Sequence, residues 1–134
     1  MSDDVLGQLG AILDTTEMRE VRAHHAAEAV RAARGYRWVG IYDVGDEEIE
    51  IIAHTGPQAP ACIRCPVDEG LSGDAVRTRE TVTAGTETIV PILGAETGMV
   101  IGTLDVESGE PNALDADDQR FLETCAQALM PLFE

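Results

Sequence analysis

The chain has 134 residues, 44% of them apolar, and 25 acidic residues against nine basic ones give it a formal charge of −16. That length supports one ordinary hydrophobic core, so a single domain over residues 1–134 is expected, with no need for stabilising staples. So acidic a surface repels phosphate backbones and anionic lipids, which excludes nucleic acid and membrane surfaces as expected partners.

The N-terminal "MSDDVLGQLG" carries acids where a secretion signal needs bases, and no run approaches eighteen apolar residues, so a cytoplasmic protein is expected. Two helices should open the fold, over residues 3–13 and about 16–34. "TTEMREVRAHHAAEAVRAARG" is rich in Ala, Glu and Arg, has Asp14, Thr15 and Thr16 as candidate caps, and stops at Gly35. "YRWVGIYDV" and "EIEIIAHT", joined by "GDE", alternate as a β-hairpin does. A third strand is expected over 61–66 and a short helix over about 71–79, entered through Gly70 and ended before the β-branched "TVT". "ETIVPIL" and "GMVIGTLDVES" form a second hairpin across "GAETG". A helix over 114–133 with Asp115 as its cap closes the chain. This order predicts an α+β domain, residues 35–108 building a mostly antiparallel sheet of five to six strands. The terminal helices would cover one face and leave the other for a ligand.

Register in the last hairpin gathers charge. Pairing Leu93 with Met99 sets Glu87 directly opposite Asp105 and puts Glu107 on the same face; a slip of one residue would move Glu87 to the face of Val100, Leu104 and Val106. Like charges opposed on a ladder are destabilising, and the cationic amine of a ligand would offset them. On the first strand Trp38 and Tyr42 share a face, and Trp38, the only tryptophan, is a candidate apolar wall for such a ligand. His24, His25 and His54 have no metal-binding spacing, and no metal site is expected.

Three cysteines, Cys62, Cys65 and Cys125, are an odd number, and reduced thiols are the expectation. If 61–66 is a strand, three extended steps cover roughly 10 Å, beyond the roughly 7 Å a disulfide tolerates. Cys62 would then face the ligand beside Arg64, which favours its thiolate, while Cys65 and Cys125 are small buried hydrophobes. The excess of carboxylates also predicts a protein at home in high salt, where its self-repulsion is screened.

Together "RWVGIY", "ACIR-P---G-SG-AV", "ETIVPI" and "GTLDVES" resemble a GAF domain, and within that superfamily the free methionine-(R)-sulfoxide reductases. The resemblance implies a pocket over the sheet, walled by Trp38 and Tyr42, in which Glu87, Asp105 and Glu107 hold the substrate. It implies cysteine chemistry in which a sulfenic acid resolves to a disulfide that a thioredoxin-type reductant restores, with no other cofactor; Cys62 matches the resolving position. Ser72 in "GLSG" stands where the family carries a cysteine, and the lid loop bearing the nucleophile is shortened between "TVTAG" and "TETIVPI". Three functions therefore stand side by side. The first is a domain that binds a small amine-bearing ligand such as methionine or its sulfoxide. The second is an active reductase using Cys62 as its candidate catalytic thiol with Cys65. The third is a signalling module that forms a homodimer through its terminal helices.

Overall fold

A computed structural model describes residues 2–111 and 113–133. Helix α1 spans Ser2–Leu13 and α2 Arg19–Arg34. The strands are β1 (Trp38–Val44), β2 (Glu48–Thr55), β3 (Arg64–Pro66), β4 (Val82–Ala84), β5 (Glu87–Leu93) and β6 (Val100–Glu107). Helix α3 (Gly70–Thr78) lies between β3 and β4, and α4 (Ala116–Ala128) follows β6. The sheet order is β3-β2-β1-β6-β5-β4, and every neighbouring pair is antiparallel.

The fold class expected from the sequence is the one observed. Val39 and Ile41 of β1, Val90 and Ile92 of β5, and Leu104 and Val106 of β6 turn to the same side. There they meet Val5 and Leu9 of α1, Ala23, Ala27 and Val30 of α2, and Phe121, Leu122 and Cys125 of α4. Alternation along each strand leaves the other side of the sheet to a second set of residues. The small side chains on the inner face of α2 let that helix sit close to the strands, and Ala23, Ala27 and Val30 are fully buried there.

Several element boundaries differ from expectation. Helix α2 begins later than predicted, at Arg19, and its cap position is Met18, with no side-chain cap; Asp14, Thr15 and Thr16 lie in the turn before it. Arg22 closes that turn instead, donating to the carbonyls of Glu17 and Leu13 at 3.1 and 3.3 Å. Gly35 ends α2 in the left-handed conformation, φ 67°, that a glycine adopts without strain. Asp115 caps α4 as predicted, in a reciprocal box with Asp118. The helix ends at Ala128 rather than 133, because Pro131 cannot continue it, and Met130–Phe133 form a 3-10 turn. The strand predicted over 61–66 shrinks to Arg64–Pro66.

Nine arginines cannot neutralise 25 acids. Arg19 pairs with Asp43, Arg34 with Asp117 and Asp118, Arg64 with Glu48 and Glu50, and Arg77 with Asp74, yet most carboxylates among the described residues have no cation beside them. We expect the melting temperature to rise by about 5 °C or more between dilute buffer and molar potassium chloride, as screening relieves the repulsion. A scanning-calorimetry series showing equal melting temperatures would contradict this.

Candidate functional site

On the face away from the helix-side core, β1, β6 and β5 set three rows of side chains across the sheet. Trp38 is opposite Glu107, and Glu107 is opposite Glu87. One step along, Gly40 is opposite Asp105, and Asp105 is opposite Ile89. The third row is Tyr42, Thr103 and Pro91. The predicted parity is therefore observed, but Glu87 faces Glu107 directly rather than Asp105. Two single-residue shifts add up to this: Leu93 pairs with Val100 rather than the predicted Met99, and a bulge between Ile92 and Leu93 adds the second, so the partner moves by two while the face stays the same. All three carboxylates still occupy one face.

Trp38 lies flat on the strand. A Cβ added to Gly40 would come within 2.3 Å of the far edge of the indole, so only the absence of a side chain at 40 lets the ring rest there. Gly56, at φ 132°, makes a second close approach, with the indole Cδ1 2.9 Å from where its Cβ would be. The indole nitrogen donates to the carbonyl of Gln58 at 3.0 Å, and the ring stacks on His54 with centroids 5.9 Å apart. Tyr42, also buried, donates its hydroxyl to the carbonyl of Cys62 at 3.0 Å. Trp38, Tyr42 and Ile49 form a small apolar cluster with Ile51, Cys65 and Val67 packed against it.

The carboxylates are held in this partly dry setting. Asp105 is 7% exposed, and its Oδ1 has no hydrogen-bond partner among the described residues; the same holds for the hydroxyl of buried Thr103. Burial pushes the Asp105 carboxyl up to about 7; the nearby Thr103 hydroxyl, short of hydrogen-bond geometry, counters it in part, and Glu87 and Glu107 add to it. Burial and then Glu107 raise Glu87 as well. The Tyr42 phenol is driven up, first by burial and then by the same three acids. Among the described residues no three His, Cys, Asp or Glu side chains converge to hold a metal ion. The arrangement can hold a compact cation against an aromatic wall.

The cysteine expectations need correction. Residues 61–63 turn instead of extending, so Cys62 and Cys65 approach to a Cα separation of 6.2 Å and form a disulfide. Neither is a free thiol, and Arg64 is engaged by Glu48 and Glu50. Cys65 is not a hydrophobe on the far side: it pairs with Ile49 and packs on the Trp38 and Tyr42 cluster. Cys125 is the buried thiol expected, pushed up to about 12 by burial.

His54, Thr103 and Gln58 belong to the site and were not singled out from the sequence. The first two could have been found from register, since His54 is opposite Gly40 and Thr103 opposite Tyr42. Gln58 acts through its backbone and leaves no such signal. Trp38 and Tyr42 are buried beneath the segment from Gly56 to Val67. Open clefts, such as one of about 490 Å³ beside Arg79, Thr81, Pro91 and Glu123, are lined by other residues.

A GAF-domain family model matches residues 15–132. Protein YtsP of Bacillus subtilis (strain 168) is 27% identical over 142 residues, covering 93% of this chain and 86% of that protein. Among solved structures, the free methionine-R-sulfoxide reductase from Neisseria meningitidis, in complex with its substrate, superposes with a TM-score of 0.83 at 27% identity, covering 98% of this chain and 87% of that one. The A. aeolicus nlh2 GAF domain in an inactive state gives a TM-score of 0.84 at 12% identity, covering 98% and 94%, a likeness of fold alone.

Proposed function

The chain belongs to the GAF domain family, and from that premise we propose that it binds a small amine-bearing ligand, in the sharpest form free methionine or methionine sulfoxide, on the sheet face between Trp38, Tyr42 and the carboxylates. One observation carries the reading. Asp105 is a buried acid with an unpartnered oxygen, flanked by Glu87 and Glu107 and opposite the glycine on which the indole rests. An apolar packing role would not select an acid here, whereas an ammonium would satisfy the oxygen and offset the crowded charge. The fold shared with a reductase that holds its substrate supports methionine sulfoxide as the ligand class. Titration calorimetry with methionine, the two sulfoxide epimers and cyclic nucleotides tests it. Heat with methionine or one epimer and none with the nucleotides is expected; no heat in any titration would remove the reading.

The bonded Cys62–Cys65 pair favours a second reading, an active reductase. In it the Cys62 thiolate attacks the sulfoxide sulfur, the oxygen passes to Cys62 as a sulfenic acid, and methionine leaves. The Cys65 thiol then displaces water to give the disulfide seen here, and a thioredoxin-type dithiol restores both thiols. This differs from the scheme that the family resemblance implies, in which Cys62 resolves and a thiol absent at Ser72 and from the short loop takes part. Turnover of methionine sulfoxide with dithiothreitol that stops on Cys62→Ser is its expected signature, and stoichiometric consumption below one turnover would refute it.

A further inference from the structure

We propose that the Cys62–Cys65 disulfide is a thiol–disulfide exchange site that clamps the cover of the sheet-face pocket, so that a dithiol reductant loosens the grip on whatever the pocket holds. The segment from Gly56 to Val67 reaches the site at four points. The Gln58 carbonyl accepts from Trp38, the Cys62 carbonyl accepts from Tyr42, the Ile63 carbonyl accepts from the Ile51 amide at 2.9 Å, and Cys65 packs on the cluster of Trp38, Tyr42 and Ile49. Three of those points, Cys62, Ile63 and Cys65, lie in the four-residue ring that the disulfide closes. The bond therefore fixes the turn that presents both carbonyls.

Beyond those contacts the turn is tied down only at its exit, where β3 pairs with β2 and Arg64 meets Glu48 and Glu50 at the surface. The strand following it has three residues, Arg64–Pro66, and its arginine is exposed. Ile63 at the apex is 66% exposed, an apolar side chain with no packing of its own, and Ala61 beside it is exposed as well. Both cysteines are half-buried, within reach of a small or protein-borne dithiol, in contrast to Cys125 in the core. In the exchange a reductant thiolate attacks one sulfur of the pair, the S–S bond breaks, and a mixed disulfide forms. The reductant's second thiol then displaces the protein sulfur, leaving two cysteine thiols here and a disulfide on the reductant. Two electrons and two protons pass to the protein. Once opened, residues 62–65 regain the freedom that the ring removed, and the carbonyl offered to Tyr42 is no longer pre-positioned.

The affinity arm of this inference rests on the ligand reading above; the cover arm does not, and the experiment separates them. The full chain is compared with and without dithiothreitol, alongside the Cys62→Ser/Cys65→Ser double variant, by amide hydrogen exchange and by calorimetric titration with methionine. We expect two thiols to become titratable under native conditions. Exchange at residues 51, 58, 59 and 61–65 should speed up by about tenfold or more while the α2 and α4 amides keep their protection. Methionine affinity should weaken by about tenfold. The double variant should match the reduced protein and ignore dithiothreitol. Exchange unchanged on reduction overturns the clamp whatever methionine does. Faster exchange with methionine affinity unchanged within twofold overturns the coupling to the pocket. If methionine binds in neither state the ligand reading falls, and the exchange arm alone decides the clamp.

Discussion

Asp105→Asn should make the protein more stable above neutral pH and a poorer binder. A free aspartate titrates near 3.9, whereas burial and the neighbouring acids push Asp105 up to about 7. The folded state thus holds a proton that the unfolded chain has released. The resulting stabilisation is fully present below about pH 4 and is lost as pH rises through about 7. Keeping a carboxyl protonated from about pH 4 up to about pH 7 corresponds to roughly 4 kcal/mol, and the buried amide's own desolvation takes back part of it. We expect the variant to gain about 2–3 kcal/mol at pH 8, to match the wild type near pH 4, and to show a flatter pH profile. Glu87 moves in the same direction, so some slope should persist.

Binding should respond the other way. An ammonium prefers the ionised carboxylate, so methionine affinity of the wild type is expected to fall by about tenfold from pH 8 to pH 6, whereas Asp105→Asn should bind about 10- to 100-fold more weakly with little pH dependence. Urea melts at three pH values and matched titrations measure both arms. A variant that is destabilised at pH 8 would show that the carboxylate is not held in the strained, protonatable state described here.

Gly40→Ala is the second large effect. The new methyl would fall 2.3 and 2.6 Å from two indole carbons, and the ring cannot slide away because its nitrogen is tied to Gln58 and its edge approaches Gly56. Displacing it should cost about 2–3 kcal/mol, the upper part of the usual range of about 1–3 kcal/mol for overpacking, and should abolish methionine binding in calorimetry. Because Trp38 is the only tryptophan, its fluorescence reports the event directly, as a red-shifted maximum in the folded variant. Gly10→Ala is the control. That position lies in α1 with nothing within 4 Å, so it should be neutral or stabilise by up to about 1 kcal/mol. Equal effects at both positions would mean that the indole does not lie where it is placed here.

Chain pattern made the fold legible to the degree that pattern depends on period. Alternation in "YRWVGIYDV" placed Trp38 and Tyr42 on one side and Val39 and Ile41 on the other, and the structure agrees because successive side chains of a strand must point to opposite faces, here with both faces covered. The same period put Glu87, Asp105 and Glu107 on one face while leaving open which acid faces which. Face is a matter of odd and even, whereas partner choice depends on where the loop lets Leu93 pair and on a bulge that leaves Ile101 without a partner, neither of which the period encodes. The cysteine turn was illegible for a different reason. "ACIRCP" has strand-like residues throughout, and what bends it is a covalent bond plus the hydroxyl of Tyr42, 20 positions upstream. No local propensity contains a partner that distant.

The outermost strands, β3 and β4, have three residues each. Inward of them, β5 presents Pro91, which has no amide hydrogen, and the Ile51 amide of β2 is already taken by Ile63. Where dissolved ions mute the repulsion between acidic surfaces, charge stops keeping molecules apart, and strands of neighbouring copies could otherwise add to one another. Margins of three residues leave so short a template that we expect little strand-to-strand association even in molar salt, and more of it if β4 is lengthened.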